Sequence, residues 1–159
     1  MGKIVIANWK NNPVSLEEAR ELFEFEVIEA LKYENIKTVI CPPEQFVKPL
    51  LEINAEFVGA QDIFWESGAD KYKVGYSLVG HSDRRKLGDT DEIVNQKLRS
   101  ALSAGINPIL LVGEQNKGDD RKAVLEDQLA KDLAGFSGSD IQKVLIAYEP
   151  VWAISTNPD

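Results

Sequence analysis

The sequence predicts an α/β protein in which parallel strands alternate with helices. Three observations support this fold class. Short apolar runs alternate with amphipathic segments, as in βαβ units; the apolar runs are rich in β-branched residues; and proline or glycine stands at several of their ends. No linker or low-complexity segment divides the 159 residues, so we predict one domain, residues 1–159, with six parallel strands.

The first βα unit has clear signals at both of its elements. Lys3–Trp9 is predicted as a buried strand because its β-branched residues favour extended backbone. Ser15 and Glu18 have the spacing of a capping box, which predicts a helix from there through about Lys32. Apolar residues recur along that segment at helical spacing and give the helix one apolar face.

The middle of the chain predicts three more strands. Lys37–Cys41 ends at Pro42, which cannot donate to a ladder, and Glu44–Ile53 follows as a short helix. Ala55–Gln61 and Tyr76–Val79 are the third and fourth predicted strands. About 14 residues, Asp62–Gly75, connect them, so this crossover has no room for a full helix.

The last third of the chain repeats the βα pattern twice. Asp91–Ala104 is a predicted helix that Gly105 closes, and Pro108–Val112 is the fifth strand. Arg121–Ala134 is the next helix, which Gly135 ends, and Val144–Tyr148 is the sixth strand.

The charge and the cysteine content of the sequence exclude several classes of binding partner and site. The net charge of −8 argues against binding to nucleic acid or to an anionic membrane surface, since both need basic patches. The single cysteine, Cys41, cannot form an internal disulfide, and no zinc-type cluster is visible. Without a signal peptide or a long apolar run, the chain is expected to be cytoplasmic, with no membrane contact.

Polar residues follow the predicted strands: Asn8, Lys10, His81, Glu114 and Glu149. Carboxyl ends of parallel strands lie on one side of a sheet or barrel, so these side chains are candidates for one site. A glutamate base, an imidazole and a lysine cation are the groups that proton abstraction beside a carbonyl requires.

Each group also has an ordinary structural interpretation. Lys10 is equally compatible with a solvated loop lysine, and a lone histidine such as His81 is more often structural than catalytic. Glu149 precedes Pro150, as acidic residues in turns often do. Spacing alone leaves both interpretations open.

Longer motifs point to a family. Ala7–Lys10 (ANWK), Val79–Arg85 (VGHSDRR) and Ala147–Ile154 (AYEPVWAI) resemble the three signature stretches of triosephosphate isomerases and occur in that family's order. Three shorter segments also match: Cys41–Pro43, Val58–Asp62 and Val112–Glu114. The resemblance extends from Lys3 to about Ile154.

The resemblance implies a (β/α) TIM-type barrel that interconverts two small phosphorylated trioses, dihydroxyacetone phosphate and glyceraldehyde 3-phosphate. It implies that the reaction needs no metal or cofactor. It implies that Glu149 is the base, neutral His81 binds the enediolate oxygens, Lys10 stabilises their charge and Asn8 orients the carbonyl. Supporting positions implied by the family are Ser82, Asp83 and Glu114, and the lid and phosphate positions are Trp152, Ile154 and Ser155.

The sequence departs from the family pattern at several points. Asp83 stands where the family has a glutamate, and Leu111 where it has a cysteine. Most of the family's long loop between strands three and four is missing. That loop normally plugs into the partner subunit, so we do not expect the family's usual dimer. After Ile154 the chain reads Ser155–Asp159, without the last two βα units, whose loops hold phosphate in such barrels. We therefore expect an incomplete barrel with weak activity.

Three functional readings remain open on the sequence: a weakly active isomerase, a catalytically silent barrel fragment, and a binding module that uses open strand edges. The predicted edges are Lys3–Trp9 and Val144–Tyr148. Exposed edges favour pairing with another chain, so we expect self-association as a non-standard homodimer.

Overall fold

The computed structural model describes residues 2–64 and 73–154. Its strands are β1 (Lys3–Asn8), β2 (Ile36–Cys41), β3 (Tyr76–Val79), β4 (Asn107–Val112) and β5 (Leu145–Tyr148). Its helices are α1 (Leu16–Ala30), α2 (Glu44–Asn54), α3 (Ser82–Lys86), α4 (Asp91–Ser103), α5 (Arg121–Asp132) and α6 (Gly138–Ile141). Contacts divide the described residues into a first unit, 2–61 with 73–77, and a second unit, 62–64 with 78–154.

Parallel pairing confirms the predicted α/β class. β1 and β2 form a two-stranded parallel sheet whose register runs from Lys3 opposite Ile36 to Asn8 opposite Cys41. The other sheet has the order β3-β4-β5, and β4 pairs with β5 in parallel, with Val112 opposite Tyr148.

The prediction of six strands is wrong for the described residues, which form five strands in two sheets. The missing element is the predicted third strand, Ala55–Gln61. Two isolated parallel bridges occur there: Val58 with Ile40, and Ala60 with Ser77. The segment begins as a turn, because the Val58 amide donates to the Ala55 carbonyl at 3.4 Å, so only its last residues are extended enough to pair.

The predicted first helix is present, although it ends at Ala30 rather than near Lys32. Ser15 is its N-cap, and the Ser15 side chain accepts a hydrogen bond from the Glu18 amide at 3.2 Å. The buried face consists of Ala19, Phe23 and Val27, as the helical spacing predicted.

The second unit has an apolar core between β3, β4 and the helices α4 and α5. Its buried members are Val79, Val94, Leu98, Leu110, Val112 and Val144. Gly105 and Gly135 follow α4 and α5 with φ of 74° and 73°, a conformation that glycine adopts without steric cost. The predicted helices Asp91–Ala104 and Arg121–Ala134 are confirmed except for one or two terminal residues.

Two short helices, α3 and α6, extend beyond the predicted set. α3 begins directly after His81, and α6 has a full capping box between Ser137 and Asp140 that the sequence analysis did not identify. The prediction for the Asp62–Gly75 crossover falls largely outside the described residues. Across residues 2–64 and 73–154, no helix is long and apolar enough to cross a bilayer.

Candidate active site

Every predicted strand-end residue within the described ranges lies at the carboxyl end of a strand or within two residues of it. Asn8 is the last residue of β1, and Lys10 follows two residues later. His81 lies two residues beyond β3, and Glu114 two residues beyond β4. Glu149 comes directly after β5. Asn8 and Lys10 belong to the first unit, and the other three residues belong to the second.

In the first unit, two hydrogen bonds constrain the loop that carries Lys10. The Lys10 amide donates to Oδ1 of Asn8 at 2.9 Å, and the Trp9 amide donates to the Cys41 carbonyl at 3.1 Å. Lys10 has a φ of 53°, which is uncommon and costly for a residue with a side chain. The hydrogen bonds around the loop therefore define the backbone from which the lysine side chain projects.

Gln61 binds this loop from a distant part of the chain, and the strand-end reasoning did not predict it. Its Nε2 donates to the carbonyls of Lys10, at 2.7 Å, and Cys41, at 3.0 Å. Gln61 thus joins the Lys10 loop to the end of β2. The available signal was a polar amide at the end of a predicted apolar strand, within a segment that already matched the family.

In the second unit, Glu149 lies beside the turn that carries His81. Oε2 of Glu149 accepts a hydrogen bond from the Ser82 amide at 3.0 Å. His81 is the N-cap of α3 and only 5% exposed, and its Nε2 has no hydrogen-bond partner among the described residues. The structure therefore places a carboxylate next to the turn of a buried imidazole.

Burial keeps the imidazole neutral. It lowers the pKa of His81 below 6.5, although the carboxylates of Glu149, Asp83 and Asp62 oppose the shift. Asp83, the shortened family position, lies in the first turn of α3 and contributes to this opposing field. At pH 7 a neutral imidazole can donate or accept a hydrogen bond without carrying charge.

Glu114 connects the end of β4 to the segment that follows Glu149. Oε1 of Glu114 accepts hydrogen bonds from the Tyr148 hydroxyl at 2.7 Å and from Nε1 of Trp152 at 2.9 Å. The Trp152 and Tyr148 bonds lower the pKa of Glu114, so the group is a carboxylate at neutral pH. The Glu114 carbonyl also accepts from the Val151 amide at 2.9 Å.

The predicted lid positions begin on this tethered segment. Val151–Ala153 form a single 3₁₀ turn that includes Trp152, and Ile154 follows it. Ser155 lies outside the described residues. Trp152 is therefore held at its ring nitrogen, which positions the start of the segment relative to β4.

A small cleft in the second unit adjoins Glu149. Its lining includes Gly80, Ser82, Gly113, Glu149 and Val151. A Cβ at Gly113 would lie 2.2 Å from the Glu149 carbonyl oxygen, so only glycine permits this approach of the β4 and β5 ends. In residues 2–64 and 73–154, no group of three or more His, Cys, Asp or Glu side chains is arranged to hold a metal ion.

These features define a class: an α/β protein with parallel strands in which a carboxylate at one strand end lies beside the turn of a buried, neutral imidazole. The chain belongs to the triosephosphate isomerase family, whose sequence model matches residues 3–158.

Curated relatives agree with the family assignment. Triosephosphate isomerase of Dehalococcoides mccartyi is 38% identical over 98% of this chain and 67% of its own length. The enzymes of Thermoanaerobacter pseudethanolicus and Dictyoglomus thermophilum are 41% and 38% identical, over 96% and 97% of this chain and 68% and 69% of their own lengths. The chain therefore spans about two thirds of these relatives.

A solved structure supports the fold. The crystal structure of triosephosphate isomerase from Bartonella henselae superposes on this chain with a TM-score of 0.76 and 24% sequence identity. The match covers 96% of this chain and 69% of the Bartonella chain. At that identity the likeness concerns the fold, and it supports the predicted TIM-type architecture without determining the number of strands.

Proposed function

We propose that this chain interconverts dihydroxyacetone phosphate and glyceraldehyde 3-phosphate, with Glu149 as the base. The observation that carries the proposal is the Glu149 carboxylate bound to the Ser82 amide, next to the turn of a buried, neutral His81. Family membership supplies the substrate class, and the described geometry supplies groups suited to proton transfer.

The proposed chemistry is a proton transfer between adjacent carbons. Glu149 leaves the Ser82 amide and takes a proton from the carbon beside the carbonyl, and the electron pair moves onto the carbonyl oxygen to form an enediolate. Neutral His81 hydrogen-bonds the enediolate oxygens through Nε2, which has no partner among the described residues. Protonated Glu149 then returns the proton to the neighbouring carbon, and the hydroxyl proton of the first carbon moves to the oxygen of the second, so that the carbonyl group changes place between the two carbons.

The remaining family positions receive supporting roles in this proposal. Lys10 stabilises the negative charge and Asn8 orients the carbonyl, from the loop that Gln61 braces. Glu114 holds the first residues of the lid through Trp152. Ile154 and Ser155 are proposed to continue the lid towards the substrate phosphate.

Replacing Glu149 with glutamine tests the function. We expect isomerase activity to fall roughly 10²-fold to 10⁴-fold, because the amide keeps the shape but cannot accept the proton. A coupled assay in both directions measures the loss. Glu126→Gln is the matched control, since Glu126 lies on the exposed face of α5 in an ion pair with Lys122.

An active wild-type chain with an unimpaired Glu149→Gln variant would contradict the role of the base. An inactive wild-type chain would contradict the function and favour the catalytically silent reading. Weak turnover of the 159-residue chain and a cytoplasmic location stay predictions from the sequence.

Self-association through strand edges is a second proposal for this chain. Among the described residues, β1 pairs with β2 alone and β5 with β4 alone. Val5 and Ile146, on these two strands, are 51% and 50% exposed. Unpaired edges with exposed apolar side chains favour association, and the binding-module reading would use the same edges.

Light scattering over a concentration series tests this association. We expect the mass to rise towards twice that of one chain, and Ile146→Lys to suppress the rise because a charge on β5 opposes pairing. Ile141→Lys is the control, since Ile141 is also exposed but lies on α6. A single-chain mass at every concentration would eliminate the homodimer.

A further inference from the structure

We infer that Arg85, anchored by the buried carboxylate of Asp132, is a positioning residue for His81. The inference rests on the proposed function, because positioning His81 matters to catalysis only if His81 binds the reacting oxygens. Its structural part is independent of that function: the claim is that one guanidinium determines the backbone from which the imidazole projects.

The guanidinium of Arg85 makes three hydrogen bonds. Its Nε donates to the Gly80 carbonyl at 2.8 Å, its Nη1 to Oδ1 of Asp91 at 2.6 Å, and its Nη2 to Oδ2 of Asp132 at 2.8 Å. The Gly80 carbonyl belongs to the peptide unit that joins Gly80 to His81. Restraining that peptide restrains the direction in which the His81 side chain leaves the backbone.

Gly80 shows how closely the arginine approaches this turn. Its φ of 74° favours glycine, and a Cβ there would lie 3.3 Å from Nη2 of Arg85 and 3.2 Å from a methyl carbon of Val94. The turn before His81 is therefore bounded by α4 on one side and by the guanidinium on another. An arginine that served only as a surface cation would not need this hydrogen bond to the Gly80 carbonyl.

Asp132 is the buried residue that anchors the Arg85 guanidinium. It is the last residue of α5 and fully buried, and its backbone carbonyl accepts a hydrogen bond from Nδ2 of Asn95 on α4 at 2.8 Å. Oδ1 of Asp132 is buried and has no hydrogen-bond partner among the described residues. The anchor is thus built into the packing of α4 against α5.

The cost of this anchor argues for a positioning role. Burial raises the pKa of Asp132 to about 7, although the Arg85 cation opposes the shift, and Asp91 is the other charged group that faces it. A buried ion pair with an unsatisfied oxygen is a poor source of stability. The Arg85–Asp132 pair is better explained by the geometry that it imposes on Arg85 and Gly80.

The imidazole itself is the probe for this inference. His81 is the only histidine in the sequence, so a histidine-labelled chain gives one set of imidazole resonances to titrate by NMR. The charges that act most strongly on the pKa of His81 are those of Glu149, Asp83, Asp62 and Arg84, and Arg85→Lys keeps the positive charge of residue 85. A change in that pKa upon altering the pair therefore reports altered burial of the imidazole.

Arg85→Lys is the main variant, because it keeps the positive charge but cannot reach three acceptors. We expect the pKa of His81 to rise by roughly half a unit or more towards 6.5 as the imidazole gains solvent. Asp132→Asn, which keeps the shape of the anchor and removes its charge, should shift the pKa in the same direction by less. It also preserves the test if Arg85→Lys does not fold.

Isomerase kinetics provide the second readout. We expect Arg85→Lys to lower kcat roughly 10-fold to 100-fold with KM within about twofold, because misorientation affects the transition state more than substrate binding. Ser137→Ala is the control: it removes the side-chain cap of α6 in the same unit, adds or removes no charge, and does not alter the contacts of Gly80. It should lower stability and leave the pKa of His81 unchanged.

An unchanged His81 pKa in folded Arg85→Lys and Asp132→Asn chains would overturn the inference. An equal shift in Ser137→Ala would also overturn it, because the effect would then be a general loosening of the second unit. A wild-type chain without isomerase activity would refute the proposed function instead, while the NMR comparison would still decide whether Arg85 positions His81.

Discussion

Replacing Gly113 with alanine is expected to destabilise the second unit by about 3 kcal/mol or more, because the added methyl has nowhere to go. The new Cβ would lie 2.2 Å from the carbonyl oxygen of Glu149, 2.5 Å from its carbonyl carbon and 2.9 Å from the Pro150 nitrogen. All three are backbone atoms, so no side-chain rotation relieves the clash. Urea denaturation of the two chains measures the difference.

The same substitution should impair the site as well as the fold. The backbone of Gly113 makes two hydrogen bonds with the Gln128 side chain, and it lies against the backbone of Glu149, the proposed base. A shift of Glu149 by even part of the overlap would move its carboxylate away from the Ser82 turn. Activity per folded molecule should therefore fall roughly 10²-fold, as for other misplaced groups.

Gly118→Ala is the matched control, since nothing lies within 4 Å of a Cβ built at Gly118. We expect its stability to stay within about 0.5 kcal/mol of wild type. Equal stability of the Gly113→Ala chain would show that the ends of β4 and β5 are further apart than the structure has them.

Replacing Lys97 with methionine is expected to cost about 3 kcal/mol of unfolding free energy at pH 7. Lys97 is only 2% exposed, and its ammonium lies 2.7 Å from Oδ1 of Asp62 and also binds Asp89. Methionine fills the space of the stem but leaves two carboxylates without this cation. Arg84, which contacts both, compensates for part of the charge.

Lys122→Met is the control for this prediction, because Lys122 lies in an exposed pair with Glu126 on α5. Exposed pairs contribute little, so the change should be within about 0.5 kcal/mol. If burial of the two carboxylates causes the loss, adding Asp62→Asn to Lys97→Met should restore part of the stability. A variant as stable as wild type would show that the cluster is solvated.

Local signals in the sequence predicted most element ends to within two residues. Caps and closing glycines depend on neighbours a few residues away, so Ser15, Gly105 and Gly135 could be read directly from the sequence. The strand-end positions of Asn8, His81 and Glu149 followed from the same local patterns. Their convergence into one site remains a prediction.

The Ala55–Gln61 segment shows where local reading fails. Its composition favours a strand, but extended pairing needs a partner along its whole length, and the turn after α2 leaves only Val58 and Ala60 in bridges. Strand propensity describes a fit to a sheet that other segments must supply. No pattern within seven residues contains that information.

The sequence by itself determined the family, the α/β class and the chemical groups at the strand ends, because these depend on residue identity and short spacing. Only the tertiary structure decided that His81 is buried and neutral, that Glu149 binds the Ser82 amide, and that Asp132 holds Arg85 against Gly80. Arg85 and Asp132 are 47 residues apart in the chain. Desolvation and hydrogen bonding between distant segments depend on how those segments pack, and packing is what the linear pattern does not encode position by position.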